Sequence, residues 1–447
     1  MPLLAGVSRT RLTPPWGVEL AGWGYYLGRT WQRIRDHTAA TAVVLEDGDG
    51  IAAIAAVDLM YLDAAFTKAV REEVARHTPI SPDAVCVSCS HSHNTPTAAL
   101  IRGAGERDAA YVAWAARQTA TAIIAAYHDR QPATLRVGSA LLTGWTYNRT
   151  RDNGAVDTTL GVWRIDGERG PMAAVVNFQG HPTAMMALGP ADLSRDVPGQ
   201  VTDLIEAAVP GVTALYLQGA CGDVNFDLTY HDPARCHEPG RAVAGAALGI
   251  YASARPIEST PVRAVRLQTI LPTRRWRRDE VEVVREECER RIRTGSTDGW
   301  LDGFARAIVN DPPRLPLRYG GSVEQAVRAV SRFGLEWADE TLADLDARPE
   351  TVAAEVQALR VGGAFLVANG SEFFSSLALD LRQRWGRDLL IATFANDSIG
   401  YLPDAHDVQR KSYAAYQSPR FKGQFPFAEA SGGEMVRAMR EALGAIG

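Results

Sequence analysis

Short apolar runs alternate with amphipathic stretches along the chain, and most of the runs end on polar or glycine-rich clusters. Ile51–Leu59 (IAAIAAVDL) is the first clear run, with Asp58 at its end. Ala65, Phe66, Val70 and Val74 then share one face of a helix predicted over Asp63–His77, and Ala84–Ser90 (AVCVSCS) is a second run. Strand, helix and strand at this spacing predict a βαβ unit, whose two strands must be parallel. A long helix is predicted over Arg107–His128, then strands over Thr134–Leu142, Gly161–Ile165 and Met172–Phe178. Val197–Val209 reads as helix, Thr213–Gln218 as strand and Pro239–Arg255 as helix.

From Arg274 to Ala353 the strand signals stop, and two helical, charge-rich stretches follow (VEVVREECERRIR and VEQAVRAVSRFGLEWADETLADL). Strands are predicted again only at Ala364–Ala368 and Leu389–Ala395. This pattern predicts an α/β fold with mixed sheets and flanking helices in one large unit over residues 1–447. Residues 274–353 read as a helical insertion or cap within it. Trp276, Trp300, Phe304, Phe333 and Trp337 read first as the core of that insertion and second as the lining or lid of a pocket.

Composition narrows the classes. The chain has 447 residues, 46% hydrophobic and 22% charged, which is globular usage and excludes a disordered or fibrous protein. Its 47 Lys and Arg against 52 Asp and Glu give a net charge of −5, with no basic excess for a phosphate backbone. Nucleic acid is therefore excluded as a main partner, and a small molecule is expected instead. No run approaches the roughly 18 apolar residues that span a bilayer. The first residues, MPLLAGVSRTRLTPPWG, lack the order of a signal peptide. The five cysteines are scattered and odd in number, which fits a reducing compartment, so a cytoplasmic location is expected. A homo-oligomer is left open.

Four segments place polar or metal-capable side chains just after an apolar run. In Ser90-His91-Ser92-His93-Asn94, residues i and i+2 of an extended strand face one side, so two imidazoles converge on a point suited to zinc. The competing reading is two polar loop residues. Cys86 and Cys89, three apart on a strand, face opposite sides and read as core. His181 precedes Pro182 and is held extended at a strand end; alone it reads first as a hydrogen-bonded loop residue. Gln218–Asn225 (QGACGDVN) lets the backbone approach a ligand, with Asp223 and Asn225 available to position it, or is a tight turn. Glu372 falls at a predicted helix start, where a carboxylate is stabilised by the helix N-terminus in any case. Asn396 and Tyr401 follow the run LLIATF.

In order and wording these segments resemble the neutral ceramidase family of zinc amidases. The family's H-T-H-S-G-P is similar to His91–Pro96, its H-P-T to His181-Pro182-Thr183, and its N-x-G-D-V-S to Ala220–Asn225. Its A-E-F-T resembles Gly370–Phe373, and its N-R-S resembles Asn148-Arg149-Thr150. Its N-x-Y-x-x-Y and Q-R-Y-E-A-A stretches resemble Ala395–Tyr401 and Arg410–Ala415. The likeness runs from about Gly6 to Tyr416 and leaves the insertion unmatched.

The resemblance implies one Zn²⁺ ion held by His91, His181, Glu372 and Tyr401, with His93 as the proton-transfer group beside it. Arg149 and Tyr413 would hold the carbonyl oxygen and the developing oxyanion. Asp223, Asn225 and Asn396 would contact substrate. Water activated by zinc would then cleave an amide bond in a small N-acylated molecule. Two features depart from the family. The serine of G-D-V-S is Asn225 here, so no side-chain nucleophile is available there. The chain also ends at Gly447, where the family continues into a β-sandwich, which leads one to expect a catalytic domain alone and counts against ceramide itself. An ester or lactone hydrolase with the same site is the second expectation, and a zinc-stabilised binding protein without catalysis the third.

Overall fold

A computed structural model describes residues 2–22, 24–258, 260–299 and 322–447. Among these residues the larger sheet has nine strands. The main order is Thr213–Gln218, Gly170–Phe178, Thr159–Gly167, Gln131–Leu141, Leu4–Arg11, Ala39–Glu46, Ile51–Val57 and Val85–Cys89, with Arg255–Pro256 paired to Gln131–Leu141. The two edges are parallel pairs and the middle is antiparallel. A second sheet runs Val262–Pro272, Thr351–Val361, Ala364–Asn369, Leu390–Ala392, of which the last pair is parallel.

Period-two alternation builds four layers from these sheets. Val43, Leu45 and Ile54 face the second sheet, where they meet Leu359, Leu366 and Leu390 in one core. Their neighbours Ala42, Val44, Ala53 and Ala55 face the helices Ala64–His77 and Ala109–His128. Helices Asp196–Ala208 and Glu238–Ser253 cover Val162, Ala174 and Val176. On the far side, Val356, Ala358, Val367 and Ile391 pack beneath helices Ser375–Trp385 and Ser431–Ile446. The architecture is mixed α/β with helices flanking both sheets, as the apolar pattern predicts. Cys86 and Cys89 fall in opposite cores of the same strand, as expected from their spacing.

Three βαβ units position the site. They are Ile51–Val57 to Val85–Cys89 through helix Ala64–His77, Gly170–Phe178 to Thr213–Gln218 through Asp196–Ala208, and Ala364–Asn369 to Leu390–Ala392 through Ser375–Trp385. Only the first and second were expected from the sequence pattern.

The interval read as purely helical is corrected at its end, because strand resumes at Thr351 rather than Ala364. Val262–Pro272 and Thr351–Val361 pair along their whole length, with helices Arg278–Thr294 and Val323–Asp344 between them in sequence. Val262–Pro272 alternates exposed and half-buried positions, including Arg263 and Arg266, which hides its apolar signal. Trp276 and Trp337 meet edge to face in the core of this helical region, and Phe333 stacks on Phe421. Trp300 and Phe304 lie outside the described residues. No helix among the described residues is long and apolar enough to cross a membrane.

Candidate metal centre and active site

Ligand sites of open α/β sheets form beyond the carboxyl ends of parallel strands. Here the carboxyl ends of all three units are stitched into one floor. His181 N–H donates to the Val224 carbonyl, Gly222 N–H to Phe373, Thr393 N–H to Gln218 and Cys89 N–H to Phe394. Glu372 lies in the short strand Ser371–Phe373, paired in parallel with Gly400–Leu402, so Glu372 and Tyr401 stand in register. The expected helix start is corrected here: the helix begins at Ser375, and Glu372 owes its place to strand pairing.

Three imidazoles meet. His91 Nε2 lies 3.2 Å from His181 Nε2, and His93 Nε2 lies 2.8 Å from the same atom. Both His91 and His181 are fully buried. The convergence does not come from an extended strand, as expected, because the strand ends at Cys89 and His91 has φ of 60°, in the left-handed region. The turn is fixed by Ser90 and His91 N–H groups donating to the Val57 and Leu59 carbonyls. Gly22 (φ +107°) lies against the His93 ring, where a Cβ would come within 2.9 Å of Nδ1.

Glu372 completes the cluster. Its Oε1 accepts the Tyr61 hydroxyl, and its Oε2 lies 3.8 Å from His91 Nε2. Tyr61 also packs edge-on against the His91 ring, with centroids 4.9 Å apart. Burial pushes the Glu372 carboxyl up to about 7, against the pull of Tyr61 and Arg149. Burial likewise holds His91 down to about 3, and His93 and His181 well below their ordinary value.

The donor set fits a metal ion on its own chemistry. His91 Nδ1 points at the Met60 carbonyl (3.0 Å) and His181 Nδ1 at the Cys221 carbonyl (3.2 Å). A carbonyl can only accept, so both protons sit on Nδ1 and both Nε2 atoms carry lone pairs. Two lone pairs aimed at each other across 3.2 Å, beside a carboxylate oxygen that is buried without a hydrogen-bond partner, call for a cation. His93 stands at ligating distance as well, since ligand atoms of His91, His93 and His181 all lie within 4.8 Å of one another.

Arg149 closes the floor opposite. It donates to the Gly222 carbonyl (2.9 and 3.2 Å), to the Tyr401 hydroxyl (2.7 Å) and to Asn225 Oδ1 (3.3 Å). Burial opposes its charge, yet Tyr401 and Glu372 outweigh that and raise its pKa. Tyr413 meets the Tyr401 ring at 5.8 Å. A cavity lined by His93, Glu372, Tyr401, Tyr413, Tyr61 and Lys422 opens above. It offers about 60 Å³ to the centres of water molecules. One water needs roughly 10–15 Å³ on that measure, so the cavity has room for several waters beside the cluster.

No protein-family model matches the chain, and no curated protein sequence matches it. Solved structures do. One is the crystal structure of neutral ceramidase from Pseudomonas aeruginosa, at 16% identity and a TM-score of 0.67, covering 100% of this chain and 74% of that one. Another is described as ceramidase complexed with C2, at 15% identity and a TM-score of 0.70, covering 100% and 76%. The fold is that of neutral ceramidase.

Within that neutral ceramidase fold, seven of the ten residues singled out in the sequence surround the imidazole cluster: His91, His93, His181, Glu372, Tyr401, Arg149 and Tyr413. Asn225 lies one step behind, holding Arg149 and bridged to His181. Asp223 and Asn396 do not reach the cavity. Asp223 accepts Ser375 N–H (2.7 Å) and Asn148 Nδ2 (2.8 Å), which anchors the turn carrying Arg149. Asn396 joins Val87 N–H to Gln357 Oε1, tying the two sheets together. Tyr61 and Lys422 were missed. Tyr61 follows the strand Ile51–Val57 by four residues, a position that parallel-sheet logic singles out even without a motif.

Proposed function

We propose that this chain is a metal-dependent hydrolase that cleaves an amide bond in a small N-acylated substrate. The observation that carries it is the pair of facing Nε2 lone pairs beside the unpartnered Glu372 Oε2, at the carboxyl ends of three βαβ units. His91, His181, Glu372 and Tyr401 would hold one zinc ion. Zinc bound there supplies Lewis acidity, enough to make water a nucleophile near neutral pH.

The chain's own residues do the remaining work. Arg149, fixed by four hydrogen bonds, presents positive charge where an oxyanion develops, a contribution typically worth about 3–4 kcal/mol. Tyr413 adds a hydroxyl donor at the cavity wall. His93, buried and kept neutral, accepts a proton at one step and delivers it to the leaving amine at another. Asn225 contributes no nucleophile; its amide carbonyl holds the Arg149 guanidinium. The residues from 1 to 447 act in this reading as one catalytic unit, since the groups come from both sheets. The five free cysteines favour a reducing, cytoplasmic setting.

A hydrolysis screen over N-acyl amines of graded chain length, read out as released amine, tests the proposal. Turnover of short acyl amides that is lost in His93→Ala supports it. Turnover of esters alone shifts the reading to an esterase, and no turnover of either refutes it.

A further inference from the structure

Two cations reach the site, and they are held differently. Arg149 lies in the floor, bound on all sides by Gly222, Tyr401 and Asn225. Lys422 instead forms part of the cavity wall, which Tyr61, Glu372 and Gln424 also line. Its ammonium donates to Ser398 Oγ at 3.0 Å and points to the Leu100 carbonyl at 3.5 Å. It stands 5.7 Å from the centre of the Tyr61 ring.

Both hydrogen-bond partners are neutral, and among the described residues Lys422 makes no ion pair within 4.0 Å. Asp397, Glu372 and Asp63 act on it only from farther away. Asp397 Oδ1 is taken up by the N–H groups of Ala64 and Ser398. Burial lowers the Lys422 pKa, and Asp397 and Glu372 oppose that shift. The rest of the wall mixes apolar side chains (Met60, Ile101, Ala104 and Phe421) with the polar groups of the site, His93, Glu372, Tyr401 and Tyr413. A pocket orients its ligand through such polar groups. A cation in the wall with only neutral partners selects for an anion.

We propose that Lys422 is an anion-recognition residue of this cavity, and that the substrate is an N-acyl amine bearing a carboxylate. This rests on the amidase reading above and adds the substrate class to it. One ammonium matches a monoanion, and it separates this chain's substrate from an uncharged lipid amide.

The test compares zinc-loaded wild type, Lys422→Met and Lys422→Arg on N-hexanoylglycine and its carboxamide, which differ only in charge. The expected kcat/KM ratio, acid over carboxamide, is about tenfold or more in wild type, the scale of one charge-assisted hydrogen bond. It falls to about one in Lys422→Met and is largely restored in Lys422→Arg. A ratio near one in wild type, or one unchanged in Lys422→Met, overturns the anion proposal and leaves the amidase reading standing. If neither compound is hydrolysed, the amidase reading fails. Calorimetric binding of the same pair to the same three proteins then decides for Lys422: a tenfold preference that depends on it upholds the proposal, and its absence overturns it.

Discussion

Glu372 divides its carboxylate between two tasks. Oε1 is held by the Tyr61 hydroxyl, and that leaves Oε2 turned toward His91. Groups that orient a metal's ligands commonly change metal affinity by 10–100-fold when removed. Tyr61→Phe keeps the ring against His91 but removes the donor. Zinc affinity, measured by competition with a chelator, is expected to fall by about tenfold or more, with little change in melting temperature. An unchanged affinity would mean that Oε2 is oriented by other means. Tyr61 could not be found from a motif, because its partner is 311 residues away in sequence. His91, His93 and His181 were legible because each sits beside a strand end. The left-handed turn at His91 was not, since nothing in Ser90–His93 announces it.

The elements converge because loops cross at very short range. Gly222 N–H donates to Phe373, and a Cβ on Gly222 would lie 2.3 Å from the Glu372 carbonyl oxygen. Neither partner is a flexible side-chain end, so the backbone that carries Glu372 must move. Gly222→Ala is expected to lower stability by about 1–3 kcal/mol and to lose tight zinc binding. Urea unfolding and metal content after gel filtration check the two effects separately. Gly222 was read in the sequence as a place where backbone comes close to a ligand; what it lies against is the strand that presents a candidate ligand. Most strands with plain apolar runs were readable, but Ala39–Glu46 and Leu4–Arg11 in the middle of the larger sheet were not predicted. Thr351–Val361 and Val262–Pro272 were not, because their outward faces carry Arg360, Arg263 and Arg266 between the apolar positions. The pieces of the third βαβ unit were legible, with strands expected at Ala364–Ala368 and Leu389–Ala395 and a helix start at Glu372, but nothing in the pattern joined them into one unit.

For the whole molecule, burying ionisable groups shapes stability against pH. Asp196 is fully buried at the start of helix Asp196–Ala208, where it accepts the Met185 and Val197 N–H groups. Burial outweighs those bonds and raises its pKa from 3.8 to about 7. A carboxyl raised in the folded state keeps its proton there. Its favourable contribution is complete below about pH 4 and is lost as the pH climbs through about 7. Asp196→Asn removes that titration. Whatever the substitution costs at pH 4, the variant is expected to gain on the wild type between pH 4 and 7, by on the order of 1 kcal/mol or more. Urea midpoints at several pH values measure this, and a difference that stays flat with pH would show that Asp196 ionises freely. The three buried imidazoles push the other way. Their pKa values are depressed, so what they contribute above pH 6.5 is lost as the pH falls below it.

The proposed hydrolase brings fold and chemistry together at one ion in the imidazole cluster. Its most direct test is a zinc titration of chelator-stripped protein, following bound metal and amine release from a short N-acyl substrate in the same samples. Activity is expected to rise linearly and to break at one zinc per chain, with both signals lost together in His181→Ala. Protein that binds no zinc and gains no activity, or activity that survives in His181→Ala, would contradict the account.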